Sequence, residues 1–462
     1  MLRFFIALVL VGGILLFGCA SPPRTTSPAL PNVIILFADD LGYGDLGVYG
    51  HPTIRTPNLD RMAAEGVKFT QFYVGASVCT PSRAALLTGR LPIRSGMTND
   101  RFRVIFPPSE GGLPAAELTI AEALQTEGYA TAAIGKWHLG HRAEHLPPNH
   151  GFDEYFGVPY SNDMSAVMYP RLAERGYTAL PLMRGGETIE EEPDQRTLTR
   201  RYTDEAIAFI RRNRENPFFL YLPHTFPHVP LFAGEQFEGT SPRGLYGDVV
   251  EELDGSTGEI LATLRELGLE ENTLVVFTSD NGPWLTEKLD GGSAGLLHDG
   301  KGTTWEGGMR VPAIAWWPGT IEPGRTSTAL ATTMDLYATA LALAGVDLPT
   351  DRVVDGVDLT PVLRGERGQV RELVYYYRGT RLFAVRNGPW KLHFITQSAY
   401  VGDQPVTRDP PALYDLEQDP SERFDVAADY PEVIAAILTA VEEHRANLIP
   451  APTQLDIPAW RQ

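Results

Sequence analysis

Five apolar runs of strand length, Val33–Ala38, Ala130–Ile134, Phe218–Leu222, Leu274–Thr278 and Ala313–Trp317, each stop at polar residues. They are apolar throughout rather than alternating, so both faces of each strand need cover, as in a parallel sheet buried between helices. Helical patterns lie between them at Pro57–Glu65, Ile120–Glu127, Leu198–Asn213 and Tyr246–Leu267. Strand and helix in alternation predict a doubly wound α/β sheet, whose ligands gather at the carboxyl ends of the strands. The polar residues that end each run are therefore the candidates for chemistry.

The pattern changes after Asp358–Arg367. Shorter strand-like pieces follow at Leu373–Tyr377, Leu382–Arg386 and Trp390–Phe394, then a helical pattern from Tyr430 to Asn447. These predict a small antiparallel sheet with a closing helix. A chain of 462 residues exceeds what one compact core usually holds. The expected division is a catalytic domain over 32–367 and a smaller domain over 368–462.

At the start, Arg3 precedes an apolar run from Phe4 to Phe17 that closes in Leu16-Phe17-Gly18-Cys19. It reads as an export signal over 1–18, too short for a bilayer span of roughly 20 residues. Its end resembles a bacterial lipobox, which makes Cys19 a lipid attachment point and the Pro/Ser/Thr-rich stretch 19–31 a flexible tether. The expected location is the periplasm or the outer membrane. Cys79 is the other of the two cysteines, so the mature chain cannot rest on internal disulfides.

The first strand runs into Asp39-Asp40 and the fourth into Ser279-Asp280-Asn281-Gly282. Each alone fits a surface turn. Delivered together to one crevice they repel unless a hard cation such as calcium or magnesium compensates them. Cys79 opens Cys79-Thr80-Pro81-Ser82-Arg83, where Thr80 suits a helix cap and Pro81 the first turn. That places the cysteine at a helix N-terminus with Arg83 nearby, a setting that holds anions. Lys136 and His138 follow the second strand in Gly135–Gly140, and His224 and His228 follow the third. Lys301 sits in the glycine-rich loop Gly300–Gly308, which lacks the spacing of a P-loop. The formal charge of −19 argues against nucleic acid as a partner, so an anionic substrate must be captured by these local cations.

Cys79-Thr80-Pro81-Ser82-Arg83 resembles the formylglycine signature of type I sulfatases, and Asp39-Asp40, Gly135–Gly140, Pro159-Tyr160-Ser161, Ser279–Gly282 and Gly300–Arg310 resemble further stretches of that family. The likeness runs from Pro31 to about Gly365 and is strongest to the branch of arylsulfatase A and N-acetylgalactosamine-6-sulfatase. It implies the alkaline phosphatase superfamily fold, a mixed, mostly parallel sheet sandwiched by helices with a small C-terminal domain. It also implies hydrolysis of aryl or carbohydrate sulfates, with Cys79 converted to formylglycine (3-oxoalanine) by a formylglycine-generating enzyme. Asp39, Asp40, Asp280, Asn281 and the modified Cys79 would bind calcium, or magnesium. A thiol is a soft ligand ill matched to that hard cation, whereas an aldehyde hydrate offers oxygen.

By the same resemblance, one hydroxyl of the hydrate attacks sulfur and the other expels sulfate. Arg83 and Lys136 would hold hydrate and sulfate, and His138 would take the proton that drives the collapse, with Asp280 assisting the attack. His228 and Lys301 would hold the ester near its leaving oxygen, one of them supplying the proton, and Ser161 would contact sulfate. Asn162 departs from the histidine of arylsulfatase A, which bears on specificity. The stretch Met168–Pro193 carries Arg171, Arg175 and Arg184 and an acidic run, and either rims the pocket or is a solvated insertion. A phosphate or phosphonate ester hydrolase of the same superfamily is the competing enzyme reading, and a non-catalytic sulfated-glycan-binding lipoprotein the competing non-enzyme one.

Overall fold

The structure, a computed structural model, describes residues 30–400 and 404–457. The expected export signal, Cys19 and nearly all of the tether lie outside the described residues. The large sheet is built from β1 (Asn32–Ala38), β2 (Val67–Tyr73), β3 (Ala130–Ile134), β4 (Glu154–Gly157), β5 (Pro181–Arg184), β6 (Glu187–Glu191), β7 (Phe218–Pro223), β8 (Thr273–Ser279), β9 (Arg310–Trp316), β10 (Arg325–Ser327) and β11 (Ala331–Thr332). Its order is β10-β2-β9-β8-β1-β7-β3-β4-β5-β6, with β11 beside β2.

Alternate residues of β1 enter different cores, which is why its sequence is apolar without a break. Val33, Ile35 and Phe37 pack with the helices Cys79–Thr88, Ile120–Gln125 and Asp335–Ala344. Ile34, Leu36 and Ala38 pack on the other face with Pro57–Glu65, Leu198–Arg212 and Leu245–Glu266. The result is a three-layer sandwich around a mixed sheet. The expectation of a parallel strand at Ala313–Trp317 is corrected, because β9 runs antiparallel to both β2 and β8. No helical crossover of the kind that a parallel pair requires connects β8 to β9. The chain between them loops across the carboxyl end of the sheet, so β9 starts from that end and must run back.

A second sheet holds β12 (Leu373–Arg378), β13 (Arg381–Asn387), β14 (Trp390–Thr396) and β15 (Val406–Asp415), all antiparallel, with the helix Pro431–Ala446 packed on it. It is joined to the large sheet by buried charge. Lys391 on β14 donates to Glu306 Oε1 at 2.9 Å and also pairs with Glu422 Oε1 at 2.9 Å, and none of the three side chains is exposed. Tyr73 of β2 and Tyr376 of β12 donate to the same Glu306 carboxylate, and Glu422 accepts from the backbone N–H of Glu306 at 2.7 Å. Burial alone would raise Glu306, but Lys391, Arg310 and Arg386 outweigh it and lower its carboxyl to about 2.

Removing the one ammonium shared by two buried carboxylates leaves Glu306 to Arg310 and Arg386 and Glu422 to His393, and breaking a buried pair costs ~3–5 kcal/mol in comparable sites. Lys391→Met is therefore expected to lower the unfolding free energy by that amount in a guanidinium titration. A loss below ~1 kcal/mol would show that the cluster contributes little to joining the two sheets.

Candidate active site

Strands β1 and β8 are parallel neighbours with Ala38 opposite Ser279 in register. The next residues on each, Asp39-Asp40 and Asp280-Asn281, are thereby delivered side by side at the carboxyl end of the sheet. The backbone N–H of Asp40 donates to Asp280 Oδ1 at 3.1 Å, and Asn281 Nδ2 donates to Asp40 Oδ1 at 2.7 Å. Asp40 adopts φ 68°, a left-handed turn that keeps its carboxyl inside the crevice.

Each carboxylate has its own cation. Arg83 Nη2 lies 2.8 Å from Asp280 Oδ2, Lys136 Nζ 2.5 Å from Asp39 Oδ2, and Lys301 Nζ 2.7 Å from Asp40 Oδ2. Burial pushes Asp39 upward, but Lys136 and Arg83 override it and hold the carboxyl well below its usual range. Burial and the charge of Asp39 push Asp280 up to about 7 against the pull of Arg83.

Cys79 opens the helix Cys79–Thr88 with Val78 as its N-cap. The expected cap at Thr80 is corrected: its hydroxyl instead donates to the carbonyl of His138 at 2.9 Å and ties the helix to the loop after β3. Cys79 Sγ lies 3.5 Å from Asp39 Oδ1 and 3.7 Å from Lys136 Nζ, and only 2% of the residue is exposed. Lys136 also donates to Ser161 Oγ at 3.1 Å.

Burial lowers His138 and His228 well below the usual range, with Lys136 adding in the first and Lys301 in the second. His138 Nε2 is 2.9 Å from the carbonyl of Ile105, which fixes the proton there and leaves Nδ1 as a buried, unpartnered acceptor. His228 Nδ1 is likewise committed to the carbonyl of Val229 at 2.5 Å, so Nε2 faces Asp40 Oδ2 at 3.7 Å and Ser161 Oγ at 3.4 Å.

One ligand atom each from Asp39, Asp40, Cys79 and His228 falls within a mutual 4.8 Å. Asp280 and Asn281 touch this group through Asp40, and Asn281 Oδ1 is buried without a partner. A crowded carboxylate set with an unmet amide oxygen suits a hard, oxygen-seeking divalent cation.

His224 does not join. It is buried, both ring nitrogens lack a partner, and burial drops it to about 3, which marks it as packing. Asn162 also points away, donating to Gln195 Oε1 at 2.8 Å and the carbonyl of Pro230 at 3.0 Å. Two residues that the sequence reading passed over stand at the cavity wall, Asp163 and Trp284. The Trp284 ring lies 5.4 Å from that of His228, with Lys301 Nζ 4.2 Å above its face. Their nearness in sequence to Ser161 and Asn281 was the available signal.

The sulfatase family model matches residues 31–346, and the model for the C-terminal region of aryl-sulfatase matches residues 369–461. The chain is 42% identical to N-acetylgalactosamine-6-sulfatase of Canis lupus familiaris, over 96% of this chain and 91% of that one. It is 44% identical to human arylsulfatase A, over 88% and 86%. The crystal structure of the PsFucS1 sulfatase from Pseudoalteromonas sp. superposes with a TM-score of 0.82 at 32% identity, covering 90% of each chain. With both models in register and relatives of this identity along nearly its whole length, the chain belongs to the sulfatase family and is a sulfuric ester hydrolase.

Proposed function

We propose that this sulfatase works through a formylglycine at position 79 and a bound calcium ion, on an aryl or carbohydrate sulfate. The observation that carries the reading is the position of Cys79. It stands at a helix N-terminus, within hydrogen-bonding reach of both Asp39 and Lys136, at the meeting point of three carboxylates and three cations. Position 79 as formylglycine hydrate would supply one hydroxyl to attack sulfur and another to expel sulfate. Asp39, Asp40, Asp280 and Asn281 would hold the calcium, which neutralises negative charge beside the sulfate oxygens.

The hydrogen bonds support the remaining roles that the resemblance implies. His138 Nδ1 is the free acceptor on the Cys79 side of the crevice, placed to take the proton when sulfate is expelled. Arg83 braces Asp280 and the carbonyl of Lys136, which orients Lys136 toward the sulfate. Ser161, held between Lys136 and His228, is placed for a sulfate oxygen. Lys301 carries a proton at the leaving-group side, whereas the Nδ1 proton of His228 is committed to Val229, so His228 would accept or steer there and Lys301 donate. Fixed cations in a buried crevice stabilise charge spreading over sulfate without reorganising.

Position 79 is 2% exposed at the wall of a narrow cavity, beyond the reach of another protein's active site, which supports modification of the unfolded or partly folded chain by a formylglycine-generating enzyme. Export over 1–18, a lipid on Cys19 and the division into domains at 367/368 complete the proposal and rest on the sequence alone. Among the described residues, no helix is long and apolar enough to cross a membrane.

Cys79→Ala is expected to cost roughly 10³-fold or more in kcat on an aryl sulfate while leaving the thermal midpoint close to the parent's. Residual activity within about tenfold would defeat the nucleophile assignment. In the parent protein, the tryptic peptide containing residue 79 is expected to be about 18 Da lighter than the cysteine form. Removal of calcium by chelation is expected to abolish turnover and lower the melting midpoint, with both restored by calcium, since a ligand bound only by the native state stabilises it. An unchanged midpoint in a verified metal-free sample would count against the acidic cluster as a metal site.

A further inference from the structure

Cys79, His138, Ser161, His228 and Lys301 line a cavity of about 290 Å³, at the small end of ligand pockets and sized for one ring. It adjoins a second cavity of about 650 Å³, and the two share Asp163 and Trp284 as their common wall. Trp284 touches His228 and lies under the Lys301 ammonium, so the shared wall stands on the leaving-group side of the inner cavity. A substituent on the sulfated ring that extends toward this wall would enter the outer cavity.

The outer cavity combines apolar surface with excess negative charge. Tyr169 and Leu245, 43% and 39% exposed, line it with Leu172. Glu287 and Asp290 line it with a single arginine, Arg171, while Asp163 stands at its inner end within the influence of Lys136 and Lys301. Asp163 Oδ1 is buried and has no hydrogen-bond partner, an acceptor in want of a donor. A sugar ring meets these demands, with an apolar face for an aromatic side chain and hydroxyl donors for carboxylates. A ring that carries its own carboxylate or sulfate meets repulsion instead.

We propose that the outer cavity is a subsite for an uncharged ring linked to the sulfated one, and that it disfavours a neighbour bearing a second anion. The stretch Met168–Pro193, through Tyr169, Arg171 and Leu172, thus rims the substrate groove. The inference rests on the reading above that the leaving oxygen faces His228 and Lys301.

Three probes test it: phenyl sulfate, 4-(β-glucosyloxy)phenyl sulfate, and the matching β-glucuronide, which differs from the glucoside only by a carboxylate. The glucoside is expected to exceed the glucuronide in kcat/KM by roughly fivefold or more at low salt, with the gap closing as salt screens the carboxylates. Glu287→Lys combined with Asp290→Lys should erase or reverse that order while phenyl sulfate turnover stays within about twofold. Tyr169→Ala should raise KM for the glucoside only. Equal kcat/KM for the two glycosides, or a charge swap that changes phenyl sulfate as much as them, overturns the subsite. Calorimetric binding of the same probes to the calcium-loaded Cys79→Ser chain separates the two readings. Preference for the glucoside there, without turnover by the parent, supports the subsite and overturns the catalytic reading. Turnover with equal glycoside affinities overturns the subsite alone.

Discussion

Three carboxylates buried at the ends of two adjacent strands cannot remain together without compensation, and much of the molecule answers that constraint. The parallel register of β1 and β8 forces Asp39, Asp40 and Asp280 into one crevice. Arg83, Lys136 and Lys301 reach them from three other segments: a helix, the loop after β3 and the loop before β9. Each of these cations is itself buried or nearly so, and would be costly there without its partner. The arrangement is mutual: removing any member leaves a charge that the interior cannot solvate.

The same logic explains why a small C-terminal sheet sits far along the chain from the chemistry and still matters to it. Lys301 belongs to a loop with few regular backbone hydrogen bonds of its own. That loop is fixed by Lys391, which donates to the carbonyl of Thr304 at 2.8 Å, and by Trp305, whose indole donates to the carbonyl of Gln397 at 2.8 Å. Gly302 closes the other side, its N–H donating to the carbonyl of Ser77 at 2.8 Å. Its φ of 85° is a left-handed conformation that favours glycine. The Glu306 cluster thus connects the distal sheet to the placement of the Lys301 ammonium beside Asp40.

The parts legible in the sequence were those set by local pattern. The core strands and Pro57–Glu65 show it: β1, β3 and β8 end where their apolar runs end, and the polar residues just beyond them, Asp39-Asp40, Lys136 and Asp280-Asn281, are gathered in the crevice. What escaped depends on partners far away in the chain. The antiparallel sense of β9 comes from how a long loop travels, and the strands β5 and β6 are edge pieces too polar to stand out, with Glu187–Glu191 mostly exposed. Thr80 looked like a cap because its neighbours are Pro81 and a helix, yet the carbonyl of His138 competes for its hydroxyl and wins. Asp163 and Trp284 carry no motif beyond their nearness to Ser161 and Asn281, since their place between two cavities is set by tertiary packing.

Charge also sets how selectively the crevice takes anions. The chain carries −19 overall, so its field repels a polyanion at long range. The cations that attract sulfate are spent pairwise on buried carboxylates, and their attraction therefore acts only at contact distance. A single sulfate on an otherwise uncharged substituent crosses that field at small cost and meets the ammonium groups only when seated. A densely sulfated polymer pays repulsion along its whole length for the same single contact. The contrast between an acidic exterior and a small, compensated interior therefore favours singly charged substrates electrostatically, before any hydrogen bond to them forms.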